Sequence, residues 1–96
     1  MTTIWKYAIN LMEYQELIVP EDSFPLSFQL QDGFLRLWFH IKNTNNKLVK
    51  IPVYIVGTGQ QTPFTSTTLV NYVGTIQKDG YVWHCYVGLS KIHSGG

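Results

Sequence analysis

The side chains best suited to metal binding or nucleophilic chemistry are His40, His84, His93 and the single cysteine, Cys85. A zinc site needs three or four such ligands converging on one ion. His84 and Cys85 are adjacent, and neighbouring residues of a strand point to opposite faces, so a regular strand does not offer both to one metal. A cysteine nucleophile needs a base within hydrogen-bond reach. His84 faces away for the reason just given, which leaves only His40, arriving from another strand. A lone cysteine among aromatics reads more simply as a small packed apolar residue. Glu13, Glu16, Glu21 and Asp22 crowd an early loop, where solvated carboxylates rather than an acid–base pair are expected. The chemistry-bearing residues therefore point to a non-catalytic protein with neither metal nor cofactor.

Two other groups point to binding. Gly57-Thr58-Gly59 follows a strand, and such a turn can present backbone N–H groups to a phosphate or carboxylate. It has neither the Lys-Ser/Thr ending of a P-loop nor the third glycine of a dinucleotide fingerprint, so a plain tight turn is the simpler reading. Arg36, Trp38 and His40 share one side of a strand, and Trp5 and Tyr7 share one side of another. Tryptophan, tyrosine and arginine are the usual anchors of protein–protein interfaces. The competing reading of Trp38 is a second core face, with only Arg36 and His40 reaching outward.

Strands must carry these residues. From Leu35 to Ile41 apolar side chains alternate with Arg36, Trp38 and His40, the period of a half-buried strand. Leu26, Phe28 and Leu30 alternate upstream, and Asp32-Gly33 between the two runs suits a tight hairpin. Leu48 to Val56 alternates again, and Pro52 within it indicates an edge strand or a bulge, because proline has no N–H to donate. Tyr72 to Gln77 and Tyr81 to Leu89 form a second hairpin about Lys78-Asp79-Gly80, read as a three-residue loop. Ile4 to Ile9 and Gln15 to Val19 are two shorter strands, with Pro20 ending the second. Gly57 to Asn71 has no period and reads as a long loop. At most one short helix is expected, near Asn10 or over Thr67 to Asn71. The expected fold is mainly β: a small antiparallel sheet packed on itself as a barrel or sandwich, with one domain over 1–90 and a flexible tail over 91–96.

The totals narrow the function classes. Ninety-six residues with 45% apolar and 14% charged side chains make one globular domain, not a disordered chain. The net charge is +1 and the basic residues are scattered, which argues against general nucleic-acid binding. One cysteine fits a reducing compartment, no apolar run approaches the ~20 residues of a membrane span, and the opening Met-Thr-Thr-Ile-Trp-Lys-Tyr lacks the pattern of a secretory signal. A cytoplasmic location is the expectation.

Taken in order, Thr3-Ile4-Trp5-Lys6-Tyr7, Val53-Tyr54-Ile55-Val56-Gly57-Thr58-Gly59 and Tyr72-Val73-Gly74-Thr75-Ile76-Gln77 resemble short phage and bacterial proteins grouped as a domain of unknown function. In those proteins an opening similar to Thr-Ile-Trp-Lys-Tyr leads to a strand hairpin, a Tyr-Gly-Thr-Gly-like turn, a Tyr-Ile-Gly-Thr-like strand and an aromatic-histidine ending. Tyr81-Val82-Trp83-His84-Cys85-Tyr86-Val87 stands where that ending falls, while Val56 replaces the tyrosine directly before the glycine. The resemblance implies a small accessory protein, phage-encoded, working in the host cytoplasm. With the aromatic strands, it leads to the expectation of a binding module that engages a host protein or a second copy of itself through Arg36, Trp38, His40, Trp5 and Tyr7. A small-ligand binder, for example of a nucleotide signal, using Gly57, Thr58 and Gly59, is the alternative.

Overall fold

The computed structural model describes residues 1–65 and 68–88. These form seven strands: β1 (Thr3–Ala8), β2 (Tyr14–Pro20), β3 (Phe24–Gln31), β4 (Phe34–Ile41), β5 (Leu48–Gly57), β6 (Val70–Lys78) and β7 (Tyr81–Gly88). They pair, always antiparallel, into a three-stranded sheet of order β1-β4-β3 and a four-stranded sheet of order β2-β5-β7-β6. The result is a β-sandwich, so of the two architectures expected the barrel is set aside. No helix forms among the described residues; Leu11 to Glu13 are bends, and Val70 and Asn71 already belong to β6. Leu89 and the tail over 91–96 lie outside the described residues.

The core follows the alternation of β4 and β5. Leu35, Leu37, Phe39 and Ile41 point inward from one sheet and meet Ile51, Val53 and Ile55, with Cys85 and Val87, from the other. All are buried, and at about 1.5–3 kcal/mol for each large aliphatic or aromatic side chain this is the main force holding the sheets together. β3 lies against β6, and Gly74 permits that approach, because a Cβ there would stand 3.3 Å from both the Cβ and the carbonyl oxygen of Phe28.

Both hairpin turns are two residues long. Asp32 and Gly33 have φ of 53° and 82°, and Asp79 and Gly80 have 54° and 83°, the double positive φ that matches strand twist in a tight hairpin. Lys78 is thus the last residue of β6, paired with Tyr81, and the three-residue loop expected there is shorter by one. The alternation expected of β3 breaks at Leu26. A bulge between Pro25 and Ser27 leaves Leu26 exposed while Phe28 remains inward.

Pro52 departs most from expectation, since β5 is a central strand, not an edge. Toward β2 it is paired from Leu48 to Tyr54, but toward β7 the ladder begins only at Val53. Ile55 donates its N–H to the Glu13 carbonyl on the β2 side; three residues earlier, the nitrogen of Pro52 faces the β7 side. The missing donor therefore falls just beyond the end of that ladder, where no hydrogen bond is lost.

Candidate functional site

Direct pairing in an antiparallel sheet places partners on the same face. In the three-stranded sheet Ile4 pairs with His40, Lys6 with Trp38 and Ala8 with Arg36, while Phe24 pairs with His40, Ser27 with Trp38 and Gln29 with Arg36. These residues make the outer face, and Arg36, Trp38 and His40 form its central row, each half-buried. Around them large apolar side chains stand open to solvent: Ile4 at 58% exposure, Phe24 at 47% and Phe34 at 63%.

The face is partly organised by its own contacts. The Phe24 ring stacks on the His40 imidazole, 4.7 Å between centroids and 14° between planes. The Arg36 guanidinium lies 5.4 Å from the centroid of Phe34, within cation–π range, and donates to the Leu35 carbonyl at 2.9 Å. Lys6 Nζ donates to Gln31 Oε1 at 2.7 Å, joining the two outer strands of the sheet. No aspartate or glutamate occurs in β1, β3 or β4, so the face is apolar and aromatic with positive charge only.

Trp5 and Tyr7 do not belong to this face. They pair with Phe39 and Leu37, so they share a side with each other but lie on the inner side of the sheet. Tyr7 packs edge-on against Phe39 at 5.4 Å, and its burial raises the phenol pKa. Trp5, on edge strand β1, keeps 38% exposure at the open margin of the sandwich. The five aromatic and basic residues singled out from the sequence thus divide into three on the outer face and two on the inner side, of which Tyr7 packs against the core and Trp5 stays exposed at its margin.

Gly57, Thr58 and Gly59 form a turn closed by its own bonds. Gly57 N–H donates to Gln60 Oε1 at 2.8 Å and Thr58 N–H to the Val82 carbonyl at 3.0 Å. Two of the three N–H groups that would cradle an anion are therefore engaged within the protein, and the φ of 89° at Gly59 is that of the turn itself. Cys85 is fully buried between the sheets, and burial pushes its thiol up to about 12. His40 stands on the outer face of the opposite sheet and His84 on the outer face of Cys85's own sheet, so these three do not converge.

The other sheet carries an arrangement that sequence reasoning missed. Tyr14 pairs with Tyr54, Tyr54 with Tyr86 and Tyr86 with Tyr72, a row of one tyrosine per strand across the whole outer face. Neighbouring rings are 5.3 Å apart for Tyr14 and Tyr54 and 5.6 Å for Tyr72 and Tyr86. Phe64, from the loop after β5, rests edge-on over Tyr54 and Tyr86 at 5.4 and 4.9 Å. Beside the row, His84 Nε2 meets Thr58 Oγ1 at 2.7 Å and Nδ1 meets Thr75 Oγ1 at 2.9 Å, and Thr75 in turn bonds the Tyr72 hydroxyl. The loop and this hydrogen-bonded chain cover the centre of the four-stranded sheet, whereas nothing among the described residues covers the three-stranded one.

Among known proteins, the chain matches the family described as Domain of unknown function (DUF7352) over residues 1–94, and it belongs to that family. No curated protein and no solved structure matches it.

Proposed function

We propose that this member of the family is a non-catalytic binding module that engages a protein partner through the outer face of its β1-β4-β3 sheet. The observation that carries the reading is the contrast between the two outer faces. One has Phe64 packed over Tyr54 and Tyr86 at the centre of its tyrosine row, with Tyr14, Tyr72 and Ile18 exposed toward the edges; the other leaves Ile4, Phe24 and Phe34 open around half-buried Trp38, with no described loop residue over its centre. Exposed large apolar side chains grouped on one sheet face, with arginine and tryptophan at the centre, have the composition of an interface core.

The charge pattern supports a partner of complementary chemistry. With Lys6 and Arg36 on the face and no carboxylate on any of its three strands, the complementary surface is apolar with acidic groups. A host protein of that kind fits the accessory role, in the host cytoplasm, that the resemblance to phage and bacterial proteins implies. A second copy is the other form of the same reading, because Glu13, Glu16, Glu21 and Asp22 lie on β2 and its flanking turns. The engaged N–H groups of Gly57 and Thr58 favour this reading over a phosphate-binding one.

Charge reversal tests it without opening the core. Lys6→Glu and Arg36→Glu keep the domain folded by circular dichroism and weaken capture of the partner by about 10-fold or more, with the loss growing as salt is lowered. Wild-type capture by both folded variants would remove this face from the account.

A further inference from the structure

We infer that the protein pairs with a second copy of itself edge to edge, β1 against β1 in antiparallel order about a two-fold axis at Trp5. Among the described residues β1 is hydrogen-bonded on one side only, to β4. Ile9 N–H donates to the Leu35 carbonyl, and Gln31 pairs with Phe34 across the tight turn, so the odd-numbered residues of β4 aim their backbone groups at β1. In the register of that pair Thr3, Trp5 and Tyr7 turn their backbone groups to β4, while Ile4, Lys6 and Ala8 present N–H and C=O outward along the edge. Ile4, Lys6 and Ala8 are all exposed.

The other sheet edges are blocked. β3 carries Pro25 and a bulge, β6 has a bulge between Tyr72 and Gly74, and these two strands lie against each other. β2 sets the exposed carboxylate of Glu16 in mid-strand and Pro20, which has no N–H, at its end. Charges, prolines and bulges of this kind keep one sheet from adding to another. β1 has no proline, no bulge and no carboxylate. Its single charged side chain, Lys6, is drawn across β4 to Gln31 Oε1 on β3 at 2.7 Å, away from the edge it could guard.

The strand's own sequence selects the occupant and the register. With the two-fold axis at Trp5, Ile4 of each copy exchanges both backbone hydrogen bonds with Lys6 of the other, and the two indoles meet as a non-hydrogen-bonded pair. Aromatic cross-strand pairs are favourable, whereas an axis at Lys6 sets two ammonium groups directly opposite each other. Trp5 stands 38% exposed at the open margin of the sandwich, and the second copy supplies the cover that its own chain leaves off. The two three-stranded sheets become one sheet of six, with their outer faces continuous. Because the pairing uses the edge and not that face, it stands or falls independently of the protein-binding reading.

Sedimentation equilibrium of the full chain at about 100 μM, where even weak self-association registers, is expected to show a dimer. Ile4→Pro removes an N–H that turns away from β4, so the variant keeps its fold by circular dichroism. Its association weakens by about 10-fold or more, because the donor is lost from both copies. Ile4→Val keeps the N–H and associates as wild type does. Trp5→Cys places two sulfurs on a pair whose Cα atoms are about 4.5 Å apart, and under mild oxidation it forms an interchain disulfide. Lys6→Cys, further from its counterpart in this register, forms one far more slowly, and Cys85 stays buried and free. The inference is overturned if the wild-type chain is a monomer, if folded Ile4→Pro associates normally, or if Lys6→Cys cross-links as readily as Trp5→Cys. Association lost with Arg36→Glu and kept with Ile4→Pro overturns it too, because the contact then belongs to the outer face.

Discussion

Gly88→Ala is the sharpest perturbation of the packing described above. Gly88 is buried at the end of β7, and a Cβ placed on it would lie 2.2 Å from Pro52 Cγ, 3.0 Å from Cδ and 3.5 Å from Cβ. Carbon atoms rest at about 3.5–4.0 Å, so the first contact is more than 1 Å too short and the proline ring has no soft torsion with which to retreat. Either β7 moves away from β5 or the ladder that starts at Val53 frays. Overpacking of this kind costs about 2–4 kcal/mol, a large part of the roughly 5–15 kcal/mol that holds a chain of this size. Urea unfolding then shows a clear fall in midpoint, and the melting temperature drops by about 10–25 °C. Pro52→Ala removes Cγ and Cδ and leaves the ordinary 3.5 Å contact. The double variant is accordingly more stable than the two single costs added together, by about 1–3 kcal/mol. A wild-type midpoint for Gly88→Ala, or strictly additive costs, would refute the contact between Gly88 and Pro52 as the cause.

Three further outcomes follow from the same structure. Gly33→Ala meets no atom within 4 Å but forces a side chain onto a φ of +82°, so it costs about 1 kcal/mol from backbone conformation alone, read by urea unfolding, and Gly33→Asn costs less. The buried Cys85 thiol titrates near 12 in the folded protein against an ordinary 9.0. The unfolded chain therefore loses its proton first, stability falls as pH rises from about 9 toward 12, and Cys85→Ala removes that share of the slope in denaturation series at each pH. Phe64→Ala takes away the ring resting on Tyr54 and Tyr86, which lowers stability by about 1 kcal/mol and raises quenching of tyrosine emission by acrylamide.

What was readable in the sequence depended on short-range pattern. The alternation from Leu35 to Ile41 placed four residues in the core and Arg36, Trp38 and His40 together on the other side, because a strand's period of two needs no partner to be known. Asp32-Gly33 was readable as a turn because few residue pairs tolerate positive φ in succession. Facts set by pairing were not readable. That β1 lies beside β4, bringing Ile4 and Lys6 onto the face and Trp5 and Tyr7 under it, depends on a register that local pattern does not contain. The tyrosine row needs four strands in register at once, and Phe64, alone in a loop of Gly, Thr, Ser and Gln, gave no sign that it would cover two of them. Pro52 misled because the rule that keeps proline from central strands concerns its missing N–H, and here that side of β5 has no ladder until the next residue.

The central claim is that the outer face of the β1-β4-β3 sheet is where the protein meets its partner. Photo-cross-linking in the native host tests it most directly, with a benzoylphenylalanine placed at Gln29, on that face and exposed, and separately at Gln77, on the outer side of the other sheet. One dominant protein adduct is expected from position 29, absent from position 77 and lost when Arg36→Glu is added. No adduct from position 29, or the same adduct from both positions, would contradict it.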